Sequence, residues 1–284
     1  MKINIKKAII SILVIVVIFI FAVPPLLEYF TSKKLIDASI EGNPKTVNLY
    51  LKLGANVNTR SDNGQTPLIF ATRNEDTTMV KLLLKDYANV NAKDNHGQAA
   101  LIFASGHGHT SLVKLLLENG ANVDTKDSDR ETALIFASYK GHIEVVKILL
   151  KNHANVNIKN IHGQGALIFA SLNKHISIVR LLLENGADIN SRGNNGQTSL
   201  VFTSGNGDKV LTKLLLKEGI SVNIKDSDGN TALNHAILEG NIEIVKLLIR
   251  HNANIALKNN EGKTALEIAK EKEHFEIVKL LEKK

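Results

Sequence analysis

Histidine is the residue type here best suited to chemistry, and the chain carries ten. His107 and His109 stand two apart in GHGH, and His142 follows a glycine in a matching position. Such imidazoles would hold zinc if a second ligand pair accompanied them at fixed spacing, and none does. The chain has no cysteine. That removes disulfide frameworks, thiolate catalysis and cysteine-held zinc or iron–sulfur centres together. KDSDGN, residues 225–230, begins like a calcium loop but lacks the third acid, the correctly placed glycine and the terminal glutamate. GNNGQTSLVFTSGNGDK, residues 193–209, is rich in glycine, yet no strand precedes it and its glycines fall at repeat turns. No G-x-S-x-G, H-E-x-x-H, phosphate-loop or dinucleotide fingerprint occurs. These residues predict no catalytic, metal or cofactor site, hence a non-enzyme.

The elements that position those residues recur. ALIFAS is written at 100–105, 133–138 and 166–171, and Phe70, Phe103, Phe136, Phe169 and Phe202 fall every 33 residues. LLL keeps the same interval at 82–84, 115–117, 181–183 and 214–216. A period of this size is the signature of a stacked repeat architecture, in which one unit cannot bury its own apolar faces. Within a unit the pattern reads as two short helices and a turn. Thr66 is placed to cap a helix over 67–73 whose first residue is Pro67, and a second helix is expected over 77–85. Gly54, Gly120, His153, Gly186, Gly219 and Asn252 occupy the position where each unit's second helix leaves through a left-handed residue, and Tyr87 breaks that series. The five phenylalanines are expected to be buried, each contributing about 1.5–3 kcal/mol.

QTPLIFATRNEDTTMVKLLLKDYANVNAK and ETALIFASYKGHIEVVKILLKNHANVNIK, with NTALNHAILEGNIEIVKLLIRHNANIALK and KTALEIAKEKEHFEIVKLLEKK, resemble the ankyrin repeat family. Seven units begin near 61, 94, 127, 160, 193, 226 and 259, after a degenerate leading unit that sets the start of the array near residue 33. The resemblance implies an all-α repeat solenoid of stacked helix–turn–helix units with β-hairpin-like turns. It also implies that the glycine–histidine pairs end inter-helix turns. The family's histidine after T-P-L is replaced by Ile69, Ile102, Ile135, Ile168 and Val201, which exchanges polar bracing for apolar area. The threonine cap is absent at Ala99 and Gly165, and Arg130 replaces the turn glycine seen at Gly97 and Gly163.

Before the array, AIISILVIVVIFIFAV covers 8–23 with Ser11 its only polar residue, behind Lys2, Lys6 and Lys7. A helix over it rises roughly 25 Å, slightly short of a hydrocarbon core, and lysine snorkelling with Leu26 and Leu27 extends its reach. Pro24 and Pro25 are expected to end it, leaving 24–32 as a linker. The segment is expected to be an uncleaved single-pass anchor with the N-terminus cytoplasmic and the repeats translocated. The alternative is a cleaved signal peptide and a secreted array, although only Ala22 is small near the end of the run. The formal charge is +7, of which the first 34 residues hold +4. The remainder lacks the concentrated basic face that phosphate recognition needs, so no nucleic acid is expected.

What remains is recognition of a protein partner by a monomeric array, with a small-ligand-binding repeat protein as the other alternative. The family resemblance places the binding surface at the turn tips and the exposed side of the first helices. The corresponding residues are Asp62, Asn63, Gln65, Arg73 and Asn74, then Asn95, His96, Gln98 and His107, then Asp129, Arg130, Glu131, Tyr139 and Lys140. They continue with His162, Gln164, Leu172 and Asn173, then Asn194, Asn195, Gln197 and Asn206. Tyr139 and Arg130 stand out because aromatics and arginine dominate binding hot spots. With at most roughly 3.5 Å per residue, the linker keeps the first repeat within about 30 Å of the bilayer, so the partner is expected at or near the same membrane.

Overall fold

The computed structural model describes residues 23–284. Apart from Val23, the apolar segment 8–23 lies outside them. No helix among the described residues is long and apolar enough to cross a membrane.

All sixteen regular elements among those residues are helices. They come in pairs. The first pair is α1 (Val23–Ile40) and α2 (Pro44–Lys52), followed by α3 (Pro67–Arg73) with α4 (Thr77–Lys85) and α5 (Ala100–His107) with α6 (Thr110–Glu118). Then come α7 (Ala133–Lys140) with α8 (Ile143–Lys151), and α9 (Ala166–Leu172) with α10 (Ile176–Glu184). The last three pairs are α11 (Ser199–Gly205) with α12 (Lys209–Lys217), α13 (Ala232–Leu238) with α14 (Ile242–Arg250), and α15 (Ala265–Glu271) with α16 (Phe275–Leu281). Two isolated antiparallel bridges, Lys93 with Ala99 and Lys159 with Gly165, stand where hairpin-like turns are expected.

Local chemistry sets these bounds. The Thr66 hydroxyl accepts from Ile69 N and Pro67 opens α3, as the sequence predicts. Asp76 caps α4 by accepting from Met79 N at 2.9 Å. Gly120, Gly186 and Gly219 end their helices at positive φ, and so do His153 and Asn252. Tyr87 does the same at φ 62°, so the break in residue type is not a break in conformation.

The chain forms two compact units. The first runs to Ala104 and takes in His109–Asp127; the second holds Ser105–Gly108 and Ser128–Lys284. In the first, α1 packs on α2 and α3, and α2 on α4. Leu35, Val47, Leu68, Met79, Val80 and Leu83 are almost wholly buried between them. In the second, the first helices α7, α9, α11, α13 and α15 stack in order, each with its own second helix behind it. Leu134, Ile135, Val146, Leu149, Ile168 and Val179 form part of its core. The isoleucines at the family's histidine position are buried in both units, as are the alanines at 71, 104, 137 and 170.

Two expectations need correction. Residues 24–32 form no irregular linker: they belong to α1, and Pro24 and Pro25 stand in its first turn. Proline is tolerated there because the first backbone N–H groups of a helix have no intrahelical acceptor. The phenylalanines at 70, 103, 136, 169 and 202 are half-buried rather than buried. Each short first helix covers its Leu-Ile pair and its alanine, and turns the phenylalanine toward its other side. There a side chain of the preceding repeat lies against the ring at two of them, Arg73 on Phe103 and Tyr139 on Phe169.

Candidate partner-binding surface

Each inter-repeat turn is organised by the residue that opens it. Asp94 N donates to Gln98 O at 3.0 Å, and Asp94 Oδ1 accepts from His96 N and Gln98 N, both at 2.9 Å. Asn160 repeats this with His162 N and Gln164 N, Asp226 with Asp228 N and Asn230 N, and Asn259 with Glu261 N and Lys263 N. Successive tips are tied together. Asn95 N donates to Asn63 O and Asn95 Nδ2 to Asp62 O in the first unit. Ile161 N donates to Asp129 O, Asn194 N to His162 O and Ser227 N to Asn195 O in the second. Backbone donors and acceptors used in this way hold the tips as rigid platforms, which lowers the ordering cost of binding.

The residues chosen from sequence divide on this geometry. Asp62, Asn63, Arg73, Asn74, Asn95 and His96 are exposed in the first unit. His107, Asp129, Arg130, Tyr139, Lys140, His162, Asn194, Asn195 and Asn206 are exposed in the second. Gln98, Glu131, Gln164, Leu172, Asn173 and Gln197 are half-buried, and Gln65 is buried at 8% exposure. The sameness of the glutamines has a structural reason. Gln65 Nε2 reaches Asp94 Oδ2 and Gln98 Nε2 reaches Asp127 Oδ2, each at 3.4 Å, while Gln65 Oε1 accepts from Arg73 Nη1 at 2.9 Å. Glu131 Oε1 accepts from Asn160 Nδ2 at 2.9 Å in the same register. These side chains join one turn to the next.

The half-buried aromatic positions make contacts of their own. Arg73 lies over the Phe103 ring at 5.4 Å, and Tyr139 meets Phe169 edge-to-face at 5.8 Å. Lys140 Nζ lies over the Tyr139 ring at 4.9 Å. Tyr139 remains 41% exposed despite both neighbours. Ile161, which the sequence reading passed over, is 44% exposed at a tip. The signal was present: the same turn position holds Asp62, Asn95, Ser128, Asn194, Ser227 and Asn260, all polar. The glycine–histidine pairs brace helices. His142 Nε2 lies 3.1 Å from Gly106 O, and His175, which follows Lys174 at the equivalent position, has Nε2 3.1 Å from Tyr139 O. His109 Nδ1 lies 3.2 Å from Glu75 Oε1. In KDSDGN the Asp226 carboxylate is taken up by its own turn and by His235. Among the described residues no three of His, Asp and Glu converge as metal ligands would.

The family profile described as Ankyrin repeats (3 copies) matches residues 35–127, 123–193 and 194–284. The chain belongs to the ankyrin repeat family. A comparison with curated proteins finds no match. As in other ankyrin repeat proteins, the recurrent residues here make the stack. Arg130, Tyr139 and Ile161 are exposed positions at which residue type varies from repeat to repeat.

Proposed function

We propose that this ankyrin repeat protein is a membrane-anchored, non-catalytic scaffold that holds a protein partner on its turn tips and first-helix faces. One observation carries the reading: the second unit sets Tyr139 and Ile161 outward, 41% and 44% exposed, where other repeats place Arg73 or Gly106 and Asn95 or Asn194. With the exposed Arg130 they supply the aromatic, apolar and guanidinium groups from which interface hot spots are built. The anchor is 8–23, and the start of α1 supports it. Leu26, Leu27, Tyr29 and Phe30 are 51–63% exposed there, a cluster suited to interfacial lipid. Because 24–31 is helical, eight residues at about 1.5 Å each span about 12 Å rather than 30 Å, which brings the first repeat closer to the bilayer.

Photo-crosslinkers at Arg130, Ile161 and Tyr139 test the surface against crosslinkers at Lys147 and Glu184 on second helices. The expected result is one shared protein adduct from the first set and none from the second. Equal labelling from both sets, or none from either, overturns the assignment. Alkaline extraction and N-terminal sequencing test the anchor: the chain is expected in the membrane pellet with residues 8–23 retained. A soluble chain starting near residue 23 identifies the segment as a cleaved signal.

A further inference from the structure

In the turn that opens at Gly193, the recurring side chain is absent while the turn itself is kept. Gly193 N donates to Gln197 O at 3.0 Å and Gly196 N to Gly193 O at 2.8 Å, matching the Asp94 turn. Asp94, Asn160, Asp226 and Asn259 each place an oxygen between two turn N–H groups. At Gly193 the corresponding donors are Asn195 N and Gln197 N, which have no protein acceptor among the described residues. Gln164 stands where Gln65 and Gln98 stand, and those two donate to the second oxygen of Asp94 and Asp127. Around this point His162, Gln164, Gly193, Asn194, Asn195 and Gln197 line a cavity of about 310 Å³.

We infer that the Gly193 turn is a binding site for a carboxylate group from outside the chain. One oxygen takes the N–H groups of Asn195 and Gln197, and the other takes the Gln164 amide. This is the bonding that Asp94 receives from its own turn and from Gln65. A carboxylate accepts on both oxygens, and bonds to an ionised acceptor are stronger than neutral ones. The carbon that carries it stands in the cavity, outside the position of a Cβ, because that position lies at bonding distance from Gly193 Cα. The nearby carboxylate of Asp226 is held by His235 Nε2 at 2.6 Å and by its own turn, so it does not compete for these donors. Acetate is the smallest molecule with this chemistry, and an acidic side chain or free C-terminus of a peptide is the other source. The site does not depend on the scaffold reading, because it is read without any partner.

The test is an amide-resonance titration of the full ¹⁵N-labelled chain with sodium acetate at constant ionic strength, with chloride as control. Saturable shifts are expected at Asn195 and Gln197 and not at His96 and Gln98, whose acceptor is already in place. Gly193→Asn supplies the internal acceptor and should weaken acetate binding about tenfold or more, equivalent to one hydrogen-bonded group's contribution. Gln164→Ala should weaken it without changing the turn, and keeps the test open if the first variant folds poorly. A short peptide with a free C-terminus is compared with its amidated form. Acetate and the free peptide both shifting the two amides shows that the group alone suffices, and the peptide alone doing so assigns the site to a protein carboxylate. No saturable shift with either, or the same shift in Gly193→Asn, overturns the site. Crosslinking from Arg130, Ile161 and Tyr139 is unaffected by that failure.

Discussion

His235 Nε2 lies 2.6 Å from Asp226 Oδ2, in the repeat position that five earlier units give to phenylalanine. The Asp226 side chain is 2% exposed, so its second oxygen depends on that imidazole. A phenyl ring at 235 would match the other repeats and leave a buried charge short of a partner. His235→Phe is therefore expected to lower stability by about 1–3 kcal/mol in urea unfolding. Asp226→Asn on the same background should recover part of the loss, since it removes the buried charge while keeping the acceptor for the two turn amides. Independent, additive losses would show that the pair is not coupled.

Tyr87 is 90% exposed and sits at φ 62°, where its counterparts are mostly glycine. The left-handed region costs an L-residue roughly 1–2 kcal/mol, and glycine returns part of that through its freer unfolded chain. Tyr87→Gly should therefore raise stability by about 0.5–1 kcal/mol in chemical denaturation. A loss would mean that the exposed ring makes a contact worth more than the strain it carries.

The two uncapped turns should respond differently to the same repair. Ala99 precedes α5 in the place where Thr66 and Thr132 cap their helices, and all three positions are almost wholly buried. Ala99→Thr is expected to add about 1 kcal/mol. At Gly165 a Cβ would lie 3.0 Å from the Ile158 backbone oxygen, so Gly165→Thr should gain nothing or lose stability. Equal gains at both sites would count against this reading of the Lys159–Gly165 bridge.

Glu243 receives Lys246 Nζ at 2.9 Å and Lys209 Nζ at 3.1 Å, and these hydrogen bonds, Lys246 first, lower its pKa from 4.5 to about 2. A carboxylate with a depressed folded pKa contributes stability above its unfolded value. That contribution is lost as pH falls through the folded one. The effect is small because the cluster is fully exposed and screened by salt. Wild type should melt slightly above Glu243→Gln at pH 7, and the difference should close between about pH 4.5 and pH 2. A gap that persists at pH 2, or that ignores added sodium chloride, would assign the effect to something other than this charge.

The bounds of α3 and α4, the threonine caps at 66 and 132 and the left-handed exits were all legible in one sequence. Each rests on bonds that close within a few residues. Thr198 marks the edge of that rule: it has the capping residue type, yet its side chain caps nothing. The same limit applies to the last letter of ALIFAS. Ser105, Ser138 and Ser171 are buried with no hydrogen-bond partner among the described residues, whereas Thr72 at the equivalent position donates to Leu68 O at 2.8 Å.

Residue types and their 33-residue interval were enough to determined by themselves the repeat, its two helices and which faces are apolar, because period and local hydrogen bonding are properties of the chain alone. Tertiary structure alone decided how far each phenylalanine is covered, that Gln65 and Gln98 join successive turns, and that Asp226 is held by His235. It also decided that 24–32 is helical and that the Gly193 turn keeps two amide donors without a protein acceptor among the described residues. Coverage and pairing at these points depend on a neighbour about one repeat away or across the turn, and the stack brings that neighbour into reach only when it forms.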